Sequence, residues 1–199
     1  MQLFSNEIEE IKLPNAHLIY VSNFYKTDEA NRIFNHLKEK TLWQEDDITV
    51  FGKTYKQPRL TAFYSENNKS YGYSGLQLKT EQFTPLLNDI KLKIQQEFSE
   101  SFNSVLLNLY RDGNDSNGWH ADNEKELGIN PVIASISLGA ERPFHFKHKI
   151  FKEQRHKLLL RHGSLLIMKG EMQHYWLHQI AKTKKQISER INLTYRHIV

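Results

Sequence analysis

The chain has 199 residues, of which 39% are hydrophobic and 25% are charged, and its formal net charge is +4. This composition is typical of a soluble globular domain with a substantial core. The absence of cysteine excludes disulfides, iron–sulfur clusters and thiolate zinc sites. No apolar run is long enough to predict a membrane helix, and the first residues do not read as a secretory signal. The mild basicity permits a polyanionic partner without requiring one.

Two amphipathic helices are predicted in the first half. Thr27 is a candidate N-cap of the first helix, and Thr84, followed by Pro85, gives the start signal of the second. Their apolar residues recur at helical spacing: Ala30, Ile33, Phe34 and Leu37, then Leu87, Ile90, Ile94 and Phe98. Residues 41–80, between the two, predict short strands and aromatic loops.

The second half changes to short β segments punctuated by glycines. The predicted strands cover residues 104–110, 132–138, 143–149, 156–161, 164–168 and 187–197. Many short strands at close spacing favour a sandwich or jelly roll. No repeat or low-complexity linker divides the chain, so a single domain over residues 1–199 is expected.

The last predicted strand alternates polar and apolar residues without a break. Its polar face would carry Arg190, Asn192, Thr194 and Arg196. Two arginines on an inward face are costly to bury unless an anion neutralises them. A strand with one solvated face is the alternative, and the segment alone leaves both interpretations open.

An imidazole and a carboxylate lie two residues apart in His120-Ala121-Asp122, so an extended backbone would place both on one face. Two histidines and one carboxylate form the site of non-haem Fe(II) oxygenases. A lone pair of this kind is common on surface loops, so a third ligand is needed. His178 lies in an apolar stretch that could enter the core, which favours it over His174 among polar neighbours.

Asn108 and Tyr110 share a face of the strand that residues 104–110 predict. Their amide and phenol, together with the guanidinium groups of Arg190 and Arg196, would suit a small dicarboxylate. A bidentate arginine fork would hold its far carboxylate.

Five motifs follow one another along the chain. They are Asn108-Leu109-Tyr110-Arg111-Asp112-Gly113, Trp119-His120-Ala121-Asp122-Asn123-Glu124, Ile136-Ser137-Leu138-Gly139, His162-Gly163-Ser164-Leu165 and Arg190-Ile191-Asn192-Leu193-Thr194-Tyr195-Arg196. In order and spacing, over at least residues 50–197, the chain resembles the AlkB family of Fe(II)- and 2-oxoglutarate-dependent dioxygenases, which repair alkylated nucleic acids.

The resemblance implies an α+β fold with a double-stranded β-helix (jelly-roll) core over residues 104–199. Residues 1–103 would form a helical flank and an N-terminal nucleotide-recognition lid. Fe(II), 2-oxoglutarate and O2 are the implied cofactor and cosubstrates. The implied iron ligands are His120, Asp122 and His178. The implied 2-oxoglutarate contacts are Asn108, Tyr110, Arg190, Asn192, Thr194 and Arg196, with Arg196 on the distal carboxylate.

The implied lid resembles the lid of those family members that repair duplex DNA. Residues Val50, Phe51, Gly52 and Lys53 resemble its hairpin, in which Phe51 would fill the gap left by an extruded base. A role in the hairpin core is the alternative for Phe51. The further implied substrate contacts are Arg59, Tyr71, Gly72, Tyr73, Asn123 and Glu124, with Tyr73 stacked on the flipped base. Glu124 could equally belong to a solvated charged run.

The implied reaction is oxidative demethylation of 1-methyladenine and 3-methylcytosine in duplex or single-stranded DNA, with release of formaldehyde. An oxygenase acting on RNA or protein is the alternative, followed by a non-catalytic jelly-roll binding module. A monomer without membrane association is expected, cytoplasmic in a bacterium or nuclear in a eukaryote. Lysine-rich residues 147–149, 152–157 and 182–185 are predicted on loops that could contact phosphates. Two departures from the family, Ala121 and the length of residues 150–156, leave substrate and strand preference open.

Overall fold

A computed structural model describes residues 8–50, 53–66, 72–73, 76–77 and 79–199. The strands of the first half are β1 (Ile8–Leu13), β2 (Ala16–Val21), β3 (Asp47–Val50), β4 (Lys53–Lys56), β5 (Leu60–Ser65), β6 (Gly72–Tyr73), β7 (Leu76–Gln77) and β8 (Thr80–Glu81). Those of the second half are β9 (Ser104–Tyr110), β10 (Asn117–His120), β11 (Ile133–Gly139), β12 (Arg142–His148), β13 (Arg155–Leu160), β14 (Ser164–Lys169), β15 (Trp176–Ile180) and β16 (Arg190–Arg196). The helices are α1 (Thr27–Lys40), α2 (Pro85–Phe98) and the short α3 (Met172–Tyr175), with a 3-10 turn at Lys125–Leu127.

Two sheets face each other in this fold. The major sheet has the strand order β1-β2-β14-β11-β16-β9-β5-β8, and the minor sheet has the order β10-β15-β12-β13. The pairings within both sheets are antiparallel except the short parallel contact of β5 with β8. This arrangement is consistent with the predicted jelly-roll core.

The two faces of β16 lie toward two different hydrophobic clusters. Ile191, Leu193 and Tyr195 pack on the side of α1 and α2, in one core cluster. A second cluster, which includes Phe144, Phe146 and Trp176 of the minor sheet, fills the space between the sheets. The polar face of β16 therefore points between the sheets and is buried, and the solvated-face alternative is wrong.

The start of α2 agrees with the sequence prediction, and the start of α1 differs from it by one residue. The Thr84 side chain accepts a hydrogen bond from the backbone N–H of Leu87, with Pro85 in the first turn, which confirms the predicted cap. Thr27 is already helical, and the N-cap of α1 is Lys26, which makes no side-chain capping bond. The acidic side chains of Asp28 and Glu29 in the first turn favour this helix end instead.

Residues 1–103, predicted as a helical flank and lid, also contribute to the major sheet, which β2 and β5 extend on both sides. The six strands predicted in the second half are present, with shifts at their ends, while β1, β2, β10 and β15 were missed. The prediction that the basic residues 147–149 and 152–157 lie wholly on loops was wrong. Lys147 belongs to β12, and Arg155 and Lys157 belong to β13. Regular strand pairing between β12 and β13 explains this difference.

Candidate metal and cosubstrate site

Three predicted ligands converge at one end of the space between the sheets. His120 ends β10 and pairs directly with His178 of β15, while Asp122 lies two residues beyond β10. One potential ligand atom from each of the three lies within 4.8 Å of the others. His174 is exposed on α3 and lies outside this cluster. The structure thus brings together the predicted histidine–aspartate–histidine set.

Electrostatics favour the protonation states that metal ligands need. Burial alone would raise the pKa of Asp122, but the nearby charge of Arg196 and the two histidines hold it at about 2. Burial, with the neighbouring His120, lowers the pKa of His178 to about 3. Burial also lowers the pKa of His120. The carboxylate is therefore ionised and the imidazoles are neutral near pH 7, as metal binding requires.

Neighbouring groups orient these side chains. His120 Nδ1 lies 2.7 Å from the Gly118 carbonyl oxygen, to which it can donate a hydrogen bond, so Nε2 keeps its lone pair. The backbone N–H of Asp122 donates to Gln173 Oε1 at 2.9 Å. Asp122 Oδ2 accepts a hydrogen bond from Arg196, while Oδ1 is buried without a hydrogen-bond partner among the described residues. An uncompensated buried carboxylate oxygen fits a cation site.

Arg190 and Arg196 lie at opposite ends of β16, so they serve different parts of the cavity. Arg196, 3% exposed, donates to Asp122 at 2.9 Å and thus sits at the metal end. Arg190, 1% exposed, donates to Ser137 Oγ at 2.9 Å, and its guanidinium lies 5.2 Å from the ring centre of Tyr110. This position of Arg196 argues against its predicted contact with the distal carboxylate of 2-oxoglutarate, because that carboxylate would lie away from the metal, and it favours Arg190 for that contact.

The Arg190 guanidinium is only partly satisfied by the described part of the protein. Its Nε and Nη1 atoms are buried without a hydrogen-bond partner there. Burial lowers the pKa of Arg190 to about 10, so the group remains a cation at neutral pH. A buried cation with unused donors is costly unless an anion joins it, and a carboxylate fits both the charge and the planar donor pair.

The middle of the same strand face is a hydrogen-bonded polar row. Asn192 Nδ2 donates to Ser135 Oγ at 2.8 Å and to the Ile136 carbonyl at 2.9 Å, and its Oδ1 accepts from Thr194 Oγ1 at 2.9 Å. These bonds fix the side chains against β11 before any ligand arrives. The polar side chains of β16 line the cavity together with residues from β9, β10, β15 and the loop after β10. These lining residues are Arg190, Asn192, Thr194, Arg196, Asn108, Tyr110, His120, Asp122 and His178.

Arg59 was predicted to contact the substrate, but the structure places it behind Asn108, a residue that lines the cavity. It is 4% exposed and donates from Nε to Asn108 Oδ1 at 2.7 Å and from Nη1 to the Ser116 carbonyl at 3.2 Å. Asn108 is thereby held with its oxygen toward Arg59, which leaves its amide nitrogen as the available donor.

The other predicted substrate contacts are only partly described. Val50 ends β3 and Lys53 begins β4, and these two residues pair across the hairpin. Gly72 and Tyr73 form β6, Asn123 is exposed, and Glu124 is half-buried near Asp122. Phe51, Gly52 and Tyr71 lie outside the described residues. The wedge and the base-stacking role therefore remain predictions.

Four residues that support the site were not predicted from the sequence. They are Ser135, Ser137, Gln173 and Arg142. The two serines alternate with apolar residues in Ile133–Gly139, and period-two analysis of that strand could have found them. Gln173 and Arg142 carry no such signal, because each acts through contacts with residues distant in sequence.

Arg142 joins the two loops behind Arg190. Its guanidinium is buried and donates to the carbonyl oxygens of Asp112, Asp115 and Ala181, at 3.3, 3.2 and 2.6 Å. The loop after β9 is thus tied to the loop after β15, near the strand end that carries Arg190.

The comparison with known families decides the broader assignment. The model of the 2OG-Fe(II) oxygenase superfamily matches residues 17–196, which span both sheets and the whole site. The chain belongs to this superfamily. Within it, curated relatives place the chain in the AlkB family, as the motifs predicted. The cofactor set of these dioxygenases is Fe(II), 2-oxoglutarate and O2.

Two relatives illustrate the likeness of this AlkB-family chain. It is 39% identical over 184 residues to alpha-ketoglutarate-dependent dioxygenase alkB homolog 3 of Bos taurus, covering 88% of this chain and 64% of the relative. It is 36% identical over 181 residues to the DNA oxidative demethylase ALKBH2 of Homo sapiens, covering 86% of this chain and 69% of the relative. The chain spans slightly less than two thirds of the length of the two curated relatives from Bos taurus that it matches.

A solved structure of OsALKBH1 shares the fold. Its TM-score is 0.65 at 18% identity, and the match covers 94% of this chain and 100% of that one.

Among the described residues of the present chain, no helix is long and apolar enough to span a membrane.

Proposed function

We propose that this protein is a dioxygenase that removes N-linked methyl groups from 1-methyladenine and 3-methylcytosine in DNA and releases formaldehyde. One observation carries the proposal: a single narrow cavity holds the His120–Asp122–His178 cluster at one end and the buried cation Arg190 at the other. A dicarboxylate that binds a metal through one end needs a cation to hold the carboxylate at its other end.

The metal end of the cavity would hold Fe(II) through His120, Asp122 and His178. Buried, ionised Asp122 and neutral imidazoles match the hard and borderline ligands that Fe(II) accepts. Bound Fe(II) would activate O2, so that one oxygen atom oxidises 2-oxoglutarate to succinate and CO2 and the other oxidises the substrate methyl group. The protein supplies the ligand charge, while Gln173 holds the backbone of Asp122 and Arg196 holds its carboxylate.

The cosubstrate would extend along the polar face of β16. Arg190 would take the distal carboxylate through its unused donors, with Ser137 and Tyr110 fixing the guanidinium. The Asn108 amide nitrogen, Asn192 and Thr194 would provide polar contacts between the two ends. Because β16 is paired on both sides, these contacts are preorganised and little side-chain entropy is lost on binding.

On the substrate side, the product of oxidation would be an N-hydroxymethyl base. Cleavage of its N–CH2OH bond returns the electron pair to the ring nitrogen, transfers the hydroxyl proton to solvent and releases formaldehyde with the unmodified base. A 1-methyladenine or 3-methylcytosine base is cationic and pairs poorly, so extruding it from a duplex costs less than extruding an intact base. Glu124, which is half-buried and lies two residues after Asp122 in the sequence, would favour such a positive charge.

The choice of DNA over RNA or protein rests on relatives whose names specify DNA oxidative demethylases. The test is a panel of matched oligonucleotides, DNA and RNA, single-stranded and duplex, each with one 1-methyladenine or one 3-methylcytosine. With Fe(II), 2-oxoglutarate and O2, we expect loss of the methyl group from DNA at the highest kcat/KM. A higher kcat/KM on RNA would move the proposal to the RNA alternative.

A further inference from the structure

Arg142 is a buried cation beside the Arg190 end of the cavity, although it does not line the cavity itself. It is 2% exposed and begins β12, while the preceding strand, β11, ends at Gly139, which pairs with Arg190 of β16. The short connection between β11 and β12 therefore brings the two arginines to the same corner of the fold. A buried cation is costly, and no step of the proposed reaction requires Arg142.

The two guanidinium groups share one aromatic neighbour. The guanidinium carbon of Arg142 lies 5.9 Å from the ring centre of Tyr110, and that of Arg190 lies 5.2 Å from the same point. Burial is the main cause of the lowered pKa of Arg190, and the charge of Arg142 lowers it further. In the part of the chain that the structure describes, neither arginine makes an ion pair within 4.0 Å, and the carboxylate of Asp115 pairs with Arg111 instead. A carboxylate that enters this corner is therefore attracted by two positive charges.

The hydrogen bonds of the two arginines differ. Arg142 donates to three backbone carbonyl oxygens, those of Asp112, Asp115 and Ala181. Arg190 has two buried donors, Nε and Nη1, without a partner among the described residues. The donors of Arg190 are thus left for a ligand, whereas Arg142 can influence a ligand only through its charge and through the loops that it holds.

The same two loops meet at a second point. The backbone N–H of Thr183 donates to the carbonyl oxygen of Gly113 at 2.8 Å. A Cβ atom on Gly113 would lie 2.4 Å from the carbonyl oxygen of Thr183 and 3.0 Å from that of Lys185, so any side chain there must push the loops apart. The first loop leaves β9 at Tyr110, and the second leads into β16 at Arg190. Contact between the loops therefore fixes these two strand ends relative to each other.

We infer that Arg142 is a positioning residue for the distal carboxylate of 2-oxoglutarate. By tying residues 111–116 to residues 181–185, it holds Tyr110 and Arg190 in place for that carboxylate. Its own charge adds to the attraction. The inference rests on the proposed function in placing the distal carboxylate at Arg190, and it adds a residue outside the cavity that sets the affinity for this group.

The test uses two ligands of equal chain length, 2-oxoglutarate and 2-oxopentanoate, in which a methyl group replaces the distal carboxylate. Isothermal titration of the Mn(II)-loaded protein, without nucleic acid, gives the Kd of 2-oxoglutarate, and displacement gives that of 2-oxopentanoate. In Arg142→Gln, we expect the Kd of 2-oxoglutarate to rise about tenfold and that of 2-oxopentanoate to stay within about twofold, because only the first ligand uses the distal end. A merely structural loss would weaken both ligands alike.

A second variant disturbs the loops and keeps the charge. Gly113→Ala places a Cβ atom against the Thr183 carbonyl while Arg142 is unchanged. We expect it to raise the Kd of 2-oxoglutarate about threefold or more, again with little effect on 2-oxopentanoate. The matched control is Tyr20→Phe, because the Tyr20 hydroxyl is also hydrogen-bonded to two backbone groups, those of Leu159 and Arg161, but lies on a strand that does not line the cavity. Both Kd values should stay within about twofold in this control.

Circular dichroism and thermal midpoints establish which variants are folded, and either folded variant decides the inference. Unchanged affinity for 2-oxoglutarate in folded Arg142→Gln or in folded Gly113→Ala would overturn it. Equal losses for the two ligands would overturn it as well. Demethylation of DNA by the unsubstituted protein tests the proposed function separately. Its failure would leave a measured preference for 2-oxoglutarate intact, so the two failures are distinguishable.

Discussion

Arg196 donates a hydrogen bond from Nη2 to Oδ2 of Asp122 at 2.9 Å, and both side chains are almost completely buried. The bond connects the last residue of β16 to the loop after β10, two segments that are distant in sequence. It explains why a buried carboxylate stays ionised without a metal and why its second oxygen, Oδ1, is left for a cation. Arg196 therefore belongs to the metal end of the site.

Removing this guanidinium should weaken metal binding before it weakens cosubstrate binding. In Arg196→Gln, Asp122 loses its charged partner, and we expect the affinity of the metal-free protein for Mn(II) to fall about tenfold or more. Isothermal titration measures the change, with Lys152→Gln as a control for a lost surface cation. Unchanged Mn(II) affinity combined with a much higher KM for 2-oxoglutarate would return Arg196 to the distal carboxylate.

The opposite end of β16 should control 2-oxoglutarate. Lysine keeps the positive charge of Arg190 but cannot reproduce its planar pair of donors. We expect Arg190→Lys to raise the KM for 2-oxoglutarate about tenfold or more and to leave Mn(II) affinity within about threefold. Steady-state succinate formation gives the KM. A normal KM in this variant would show that the unused donors of Arg190 do not serve the cosubstrate.

Two nearby histidines provide a matched pair for the metal assignment. His178 is buried beside His120, whereas His174, four residues earlier, is exposed on α3. His178→Ala should abolish 2-oxoglutarate turnover and Mn(II) binding, while His174→Ala should keep most of both. The reverse pattern would assign the third ligand to His174.

Local patterns predicted the parts of this site that lie on regular strands. Alternation in Arg190–Arg196 identified the polar face, and both that face and its burial are present in the structure. Alternation could not say which arginine lies near the predicted metal ligands, because that depends on where the paired strands β10 and β15 of the minor sheet lie relative to β16. The link from Asp122 to Gln173 is a long-range contact of the same kind.

The missed strands have a similar explanation. β10 contains Gly118 and has few apolar residues, so its sequence lacks the alternation by which strands are recognised. β15 follows directly after the short helix α3, and its Trp176-Leu177-His178-Gln179-Ile180 run fits either secondary structure. Pairing with β12 makes this run a strand. Propensity alone is a weak guide where such tertiary contacts dominate.

The lid prediction concerns Phe51, which follows Val50 in the sequence and lies outside the described residues. If its ring fills the space of an extruded base, the benefit arises only where a continuous stack must be repaired. We expect Phe51→Ala to slow demethylation of 1-methyladenine in duplex DNA about tenfold or more, or roughly 1.4 kcal/mol. Activity on the matching single strand should change by no more than a few-fold. Equal losses on both substrates would make Phe51 a structural residue.

We propose that the cavity couples oxidation of 2-oxoglutarate to removal of a methyl group from a nucleobase. The most direct measurement is simultaneous quantification of succinate, formaldehyde and repaired base from DNA containing 1-methyladenine, with Asp122→Ala as the inactive control. We expect all three products to form in equal amounts with the unsubstituted protein and none to form above background with the variant. Succinate produced in the presence of methylated DNA without formaldehyde or repaired base would contradict it.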